Sequence, residues 1–216
     1  MTQLTKWEDF WYRPYRYMDE SWHRVVDLSI ISNPINEAVY YEKVMEAFDI
    51  PIVKEPSISN PNFAKLVYLT DRDLSILLSM LSAILSHGKL AGHLGENERQ
   101  WCAHIANANA SIQDNALVAE YISNNYASST ENLYISLSLW MIRCWSKNNI
   151  GFWERFRLRL NHEIAVPEID INIPENILDY LLTCATTIMS EPSPPATLSV
   201  SAADKDSAAD QNIEKT

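Results

Sequence analysis

Hydrophobic and polar positions recur with helical spacing along most of this chain. The clearest run is "LSILLSMLSAILS", residues 74–86, whose serines fall at Ser75, Ser79, Ser82 and Ser86. Steps of four, three and four place them in one polar stripe on an α-helix. Leu74, Leu77, Leu78, Leu81, Ile84 and Leu85 cover the rest of that helix. "TDRD" before it supplies a variant of the capping box, with Thr70 as N-cap and Asp73 three residues on. Gly88 suits the stop at the other end. The pattern predicts a nearly all-buried helix.

Similar signals predict further helices. Asn33 and Pro34 open one that runs to about Phe48, since proline at the first helical position loses no hydrogen bond. Residues 96–108 form another, beginning near Gly95. "SIQD" (111–114) opens a third, with Ile112, Leu117, Tyr121 and Ile122 on one side. "SSTE" (128–131) opens "NLYISLSLWMIRCW", which alternates like a strand at its start but has the length and cap of a buried helix. Pro174 begins a last helix through Leu178, Leu181, Leu182, Ala185 and Met189. Residues 49–69, with Pro51, Pro56 and Pro61, predict a long packed or functional loop. "PEIDINIP" (167–174) reads as an extended or turn-rich link. From Glu191 the chain is rich in Ser, Ala, Asp and Pro and carries no aromatic residue, which predicts a disordered tail over 191–216.

The opening stretch is the densest apolar feature. "WEDFWYRPYRYMDESW", residues 7–22, holds seven of the 22 aromatic side chains in the chain (7 Trp, 10 Tyr and 5 Phe). "TKWE" reads as a capping box with Thr5 as N-cap and Glu8 three residues on. Trp7, Phe10 and Trp11 then share one face of a short helix that Pro14 ends. A second helix is expected near Asp19, with Trp22, Val25, Val26 and Ile30 at core spacing. Tyr17 and Trp22 are thus expected in the core. Trp7, Phe10 and Trp11, near the start of the chain, are candidates for a partner's groove. The alternative is that all seven aromatics cap the bundle.

Composition narrows the function classes. The 216 residues carry a net charge of −11 and only 4 glycines. Scarce glycine disfavours tight turns and hairpins and favours helices. The acidity argues against binding nucleic acid or anionic lipid, which need Lys and Arg. The N-terminus has no apolar run of the signal-peptide kind, and the block at 74–86 is too short to cross a membrane. Cys102, Cys144 and Cys184 are widely spaced and read as buried free thiols in a reducing cytoplasm.

No catalytic or cofactor motif is present: there is no GxSxG, Walker-type or GxGxxG loop. His87, His93, Cys102 and His104 lack the paired spacing that fixes four ligands around a metal, so capping or core-edge histidines are expected. One basic patch stands out. "KNNIGFWERFRLRL" (147–160) carries Lys147, Arg155, Arg157 and Arg159 against Glu154. In an acidic protein these arginines either dock an acidic partner or neutralise nearby carboxylates.

The order of these features resembles the SctK/YscK family, an accessory component of the cytoplasmic sorting platform of bacterial type III secretion systems. Phe10, Pro14 and Tyr17 match an N-terminal aromatic–proline–tyrosine patch. "LSAILSHGKL" matches a Leu-rich helix ending in His-Gly, here His87 and Gly88. "FWERFRLRL" matches a Trp leading into an Arg/Leu run and places Trp153, Arg157 and Leu160. The likeness spans about residues 7–189, and Asn161 stands where the family carries a proline.

The resemblance implies an all-α, non-enzymatic adaptor: one irregular helical domain over 1–190, of about seven or eight helices, followed by the tail. It implies a cytoplasmic protein, peripheral at the inner-membrane base of the secretion machine. There it would link the cytoplasmic forkhead-associated-like domain of the ring protein SctD to the pod protein SctQ, and through SctQ to SctL and the ATPase SctN. Trp7, Phe10, Trp11, Arg155, Arg157 and Arg159 are the residues expected to meet partners. No cofactor or metal is expected. A secretion chaperone or small helical regulator binding one exported protein is the alternative, and an unrecognised helical enzyme a third reading.

Overall fold

The computed structural model describes residues 3–25, 37–53, 61–92, 94–108, 116–125, 130–169 and 175–190. Among these residues every regular element is a helix, so the fold is all-α. Nine α-helices follow in order: α1 (Gln3–Tyr12), α2 (Glu37–Ala47), α3 (Pro61–Tyr68), α4 (Asp71–Leu85), α5 (Glu96–Ala108), α6 (Ala116–Asn125), α7 (Thr130–Trp145), α8 (Phe152–Arg157) and α9 (Glu175–Ser190). Short 3-10 turns at Pro14–Arg16, Glu20–Arg24 and Ser146–Asn148 join some of them.

The core is built around α4. Leu74, Leu77, Leu78, Leu81, Ile84 and Leu85 are all buried, as the serine stripe predicts. Each contributes roughly 1.5–3 kcal/mol on leaving water. Thr70 caps the helix: its Oγ accepts the Asp73 N–H at 3.1 Å and donates to the Asp73 carboxylate at 2.7 Å. The far end closes as a Schellman motif, with the Gly88 N–H on the Ala83 carbonyl at 2.8 Å and the His87 N–H on that of Ile84 at 3.4 Å. His87 therefore takes the left-handed position (φ 52°) and Gly88 follows it at φ 79°.

Three of the four serines of the stripe, Ser79, Ser82 and Ser86, face protein rather than water, and Ser75 is exposed. Helix α4 packs most extensively on α7 and α5. Where α4 crosses α7, Ser82 Oγ donates to the Tyr134 carbonyl at 2.8 Å, and Ser138 Oγ donates back to the Leu78 carbonyl. Two small side chains let the helices approach closely, and each hydroxyl is satisfied by a backbone acceptor on the opposite helix. Helix α7 also settles the ambiguity of "NLYISLSLWMIRCW" in favour of helix.

Several expectations are corrected. Residues 61–68 of the expected loop form α3, because Pro61 is tolerated at a helix start and Phe63, Leu66 and Val67 share a buried face. Helix α1 already includes Gln3, so Thr5 lies inside it rather than at its N-cap. Val118, not Leu117, joins Ile122 on the inner face of α6, and Leu117 is exposed. Glu20–Arg24 forms a 3-10 turn capped by Asp19, and Val25 is exposed rather than inward. Val26 and Ile30, the expected helix openings at Asn33–Pro34, "SIQD" and Pro174, His93 and the tail 191–216 lie outside the described residues. Helix α5 has the predicted bounds. Cys102 is buried and Cys144 half-buried, both free.

Candidate functional site

Two of the three segments that carry the resemblance meet at one joint. Phe10 stacks on Tyr17 with ring centroids 5.7 Å apart and packs on Phe152 at 5.2 Å. The Asp19 N–H donates to the Leu158 carbonyl at 2.8 Å, and Trp22 Nε1 donates to that of Leu160 at 2.7 Å. The joint links the main core to a smaller one of Met18, Tyr40, Val44, Met45, Ile50 and Leu158. Tyr17 packs against both.

The arginines of "FWERFRLRL" do not form a surface patch. Arg155 is 0 % exposed and Arg157 9 %. Arg155 donates through Nε to the Trp11 carbonyl (3.1 Å), through Nη1 to Gly151 (2.9 Å) and through Nη2 to Pro51 (3.1 Å). Its guanidinium also lies over the Trp11 ring, 5.0 Å from the centroid. Arg157 closes the turn that follows its helix, reaching the carbonyls of Leu160, Asn161, His162 and Ile164 at 2.6–3.2 Å. Arg159 donates to the carbonyls of Leu66 and Leu69, each at 2.9 Å.

Apart from that of Gly151, which opens α8, these carbonyls share one origin: they lie at helix C-terminal ends or in turns and loops, where no intrahelical N–H is available. The last turn of α1 shows the principle. Its Asp9 carbonyl accepts from the Arg13 N–H at 2.9 Å, that of Phe10 from the Tyr17 hydroxyl at 3.1 Å, and that of Trp11 from Arg155. At the end of α3, Arg159 serves Leu66 and Leu69, while Lys6 Nζ reaches Tyr68 at 3.1 Å. The cations complement the negative ends of the helix dipoles as well. The protein's own carboxylates do not explain this run, because backbone carbonyls take most of its donors.

Four of the six residues expected to meet partners are thereby corrected. Phe10 and Trp11 are core side chains, and Arg155 and Arg157 are buried and committed to backbone acceptors, whereas Arg159 serves carbonyls and also reaches the exposed Asp71. Trp7 is half-buried, edge-on to Trp11 at 5.9 Å. Tyr17 lies inside the joint as expected, whereas Trp22 is only half-buried, packed on Phe48 at 5.0 Å. Burial pushes the Tyr17 hydroxyl well above its usual range, opposed by Arg155 and Arg159, which favour the phenolate. Burial also holds the Arg157 pKa down to about 10, against the pull of Asp19.

Beside the joint, a groove of about 610 Å³ opens between α1 and the junction of α3 with α4. Half-buried Tyr17 and Leu69 offer it apolar surface, and Lys6, Arg16 and Arg159 are its cations. Of its two carboxylates, Asp9 is buried and paired with Arg13 at 3.2 Å and Arg16 at 3.4 Å. Asp71 has a side chain 98 % exposed and lies 3.3 Å from Arg159. Sequence reading missed Lys6 and Arg16. The signal available was that Lys6 and Asp9 lie one helical turn apart, on a face of α1 separate from Trp7 and Trp11, with Arg13 and Arg16 following in the segment after it. A second, shallower hollow of about 430 Å³ beside Tyr12, Tyr15 and Tyr41 is chiefly apolar, with Arg13 and Glu42 as its charges.

Among the described residues, no three His, Cys, Asp or Glu side chains are grouped to hold a metal, and no helix is long and apolar enough to cross a membrane. Compared with known protein families, curated proteins and solved structures, the chain matches none.

Proposed function

We propose that this chain is a non-enzymatic adaptor of a type III secretion sorting platform. In that role it joins an SctD-like cytoplasmic domain to an SctQ-like pod protein, and through it to SctL and SctN, at the inner-membrane base. One observation carries the reading. Two of the three segments that carry the resemblance, far apart in the chain, interlock: Tyr17 Oη donates to the carbonyl of Arg155 at 3.3 Å, Trp22 Nε1 to that of Leu160 at 2.7 Å, and Arg157 lies over the Trp22 ring at 5.3 Å. The all-α fold favours an adaptor over a secretion chaperone, which is typically smaller and mixed α/β.

Under this reading the joint holds the fold and partners use the surface around it. The test is deletion of the gene in its host with SctQ carrying a fluorescent tag. Loss of membrane-associated SctQ foci and of secretion is the expected result. Foci that persist at normal number sink the assignment.

A further inference from the structure

The groove beside α1 differs from the rest of this acidic molecule, since its cations outnumber its carboxylates and one of those carboxylates is already taken. We infer that it docks an acidic segment of a partner protein, with one aromatic side chain on Tyr17 and Leu69 and flanking carboxylates against Lys6, Arg16 and Arg159. This deepens the adaptor reading, on which it rests, by naming the chemistry of one partner's docking segment.

Three features carry the inference. Among the described residues, the ammonium of Lys6 makes one hydrogen bond, to the Tyr68 carbonyl, so two of its N–H groups remain for a ligand. Arg159 is held rigidly by the Leu66 and Leu69 carbonyls and so presents its charge at little entropic cost. Among the described residues, the one carboxylate on Arg159 is that of Asp71, almost wholly in water. Such a contact is worth only about 0–1 kcal/mol, so a ligand carboxylate can replace it.

Charge complementarity alone also admits this chain's own residues 191–216, which carry five carboxylates and two lysines. Chemistry favours a separate partner. Asp204, Asp206 and Asp210 sit among Ala, Ser, Lys and Gln, and the segment contains no aromatic residue to seat on Tyr17 and Leu69.

The experiment measures binding of a fluorescein-labelled peptide, one central Phe flanked by Asp and Glu, to the full chain by anisotropy. Three comparisons accompany it: the same peptide with Asn and Gln for its acids, an unlabelled peptide of residues 191–216 as competitor, and protein variants. The acidic peptide is expected to bind and to weaken with salt, and the amide peptide to bind at least about tenfold more weakly. Lys6→Gln with Arg16→Gln should cost a similar factor. Asp71→Asn should tighten binding by about threefold or more, because it removes the competing carboxylate from Arg159. A damaged fold cannot produce that gain, so it separates docking from stability.

Equal binding of the amide peptide, unchanged affinity in the double variant, or no gain in Asp71→Asn overturns the inference. Effective competition by residues 191–216 also overturns it, assigning the groove to the chain's own tail. The measurement needs no secretion machine. Absent peptide binding with SctQ foci still lost on deletion therefore rejects the groove alone, and peptide binding with foci retained rejects the adaptor alone.

Discussion

Arg155 holds Trp11 twice: its guanidinium covers the indole ring at 5.0 Å from the centroid, and its Nε–H binds the Trp11 carbonyl at 3.1 Å. The same side chain reaches Gly151 and Pro51, so one buried cation ties α1, the segment after α2 and α8 together. The charge is tolerated because carbonyl oxygens and a π face replace its water. Arg155→Lys keeps the charge but not the planar fork, and cannot serve three carbonyls in three directions. It should lower unfolding stability by about 2–4 kcal/mol in urea titration. A loss under about 0.5 kcal/mol would show that the fork is dispensable.

Trp11 and Trp22 exchange the roles that spacing suggested. Trp11 is 2 % exposed and surrounded by Trp7, Phe10 and Arg155, while Trp22 lies half-buried on the smaller core. Trp11→Ala should therefore cost about 3–5 kcal/mol, and Trp22→Ala distinctly less. Thermal melts of the two variants decide the order, and a Trp22→Ala melt below that of Trp11→Ala would reverse it.

Helix α4 was legible because its periodicity, cap and stop are local, and local signals sit inside a short window of sequence. Helix α3 was not, since three prolines between 51 and 61 read as loop although Pro61 begins a helix. The arginine run was misread for a different reason. Charge in a sequence suggests water or an opposite charge, but Arg155 and Arg159 bind carbonyls 144 and 90 positions away. Nothing near "RFRLR" announces that Trp11 and Leu69 end helices beside it. The same distance hid the groove, whose cations come from α1, the turn after it and the segment after α8.

The α4–α7 crossing tolerates only small side chains at its centre. Ser82 and Ser138 are both buried and each donates to the other helix's backbone. Ser138→Ala keeps the close approach and loses one hydroxyl donor, a cost of about 1 kcal/mol. Ser138→Leu must push the helices apart and should cost at least about 3 kcal/mol. Chemical denaturation of the pair separates hydrogen bonding from packing, and equal losses would refute a packing constraint.

Helix α2 ends in a Schellman motif that places an aspartate where glycine is favoured. The Ile50 N–H binds the Met45 carbonyl at 2.8 Å, the Asp49 N–H binds that of Glu46 at 3.3 Å, and Asp49 sits at φ 49°. Asp49 also carries its negative charge just past the C-terminus of α2, the negative end of the helix dipole. Asp49→Gly relieves both, less the extra freedom of glycine in the unfolded chain, for a net gain of about 0.5–1 kcal/mol. Asp49→Val should lose about 1 kcal/mol or more, and a melting temperature that rises in Asp49→Val would contradict the conformational argument.

Alkaline pH should unfold this protein through buried acids that resist losing their protons. Burial pushes Tyr40 up to about 12 from 10.0, and Cys102 up to about 12 from 9.0, the latter with help from Glu98. Tyr17 is raised as well, chiefly by burial. In each case the unfolded chain ionises first, so above its ordinary pKa the folded state binds more protons and stability falls with pH. The contribution is complete below about pH 9 and is lost as pH climbs toward about 12. Arg157, held down to about 10 from 12.5, acts oppositely above pH 10, one base against five acids once Tyr121 and Cys144, also raised by burial, are included. The melting temperature should therefore hold steady from neutral pH to about 9 and then decline. Tyr17→Phe removes one of the acids and leaves the Phe10 carbonyl without its hydroxyl donor. It should melt lower at neutral pH, by about 1–2 kcal/mol of stability, yet lose less between pH 9 and 11 than the parent chain. Parallel pH profiles for the two proteins would show that Tyr17 takes no part in the alkaline transition.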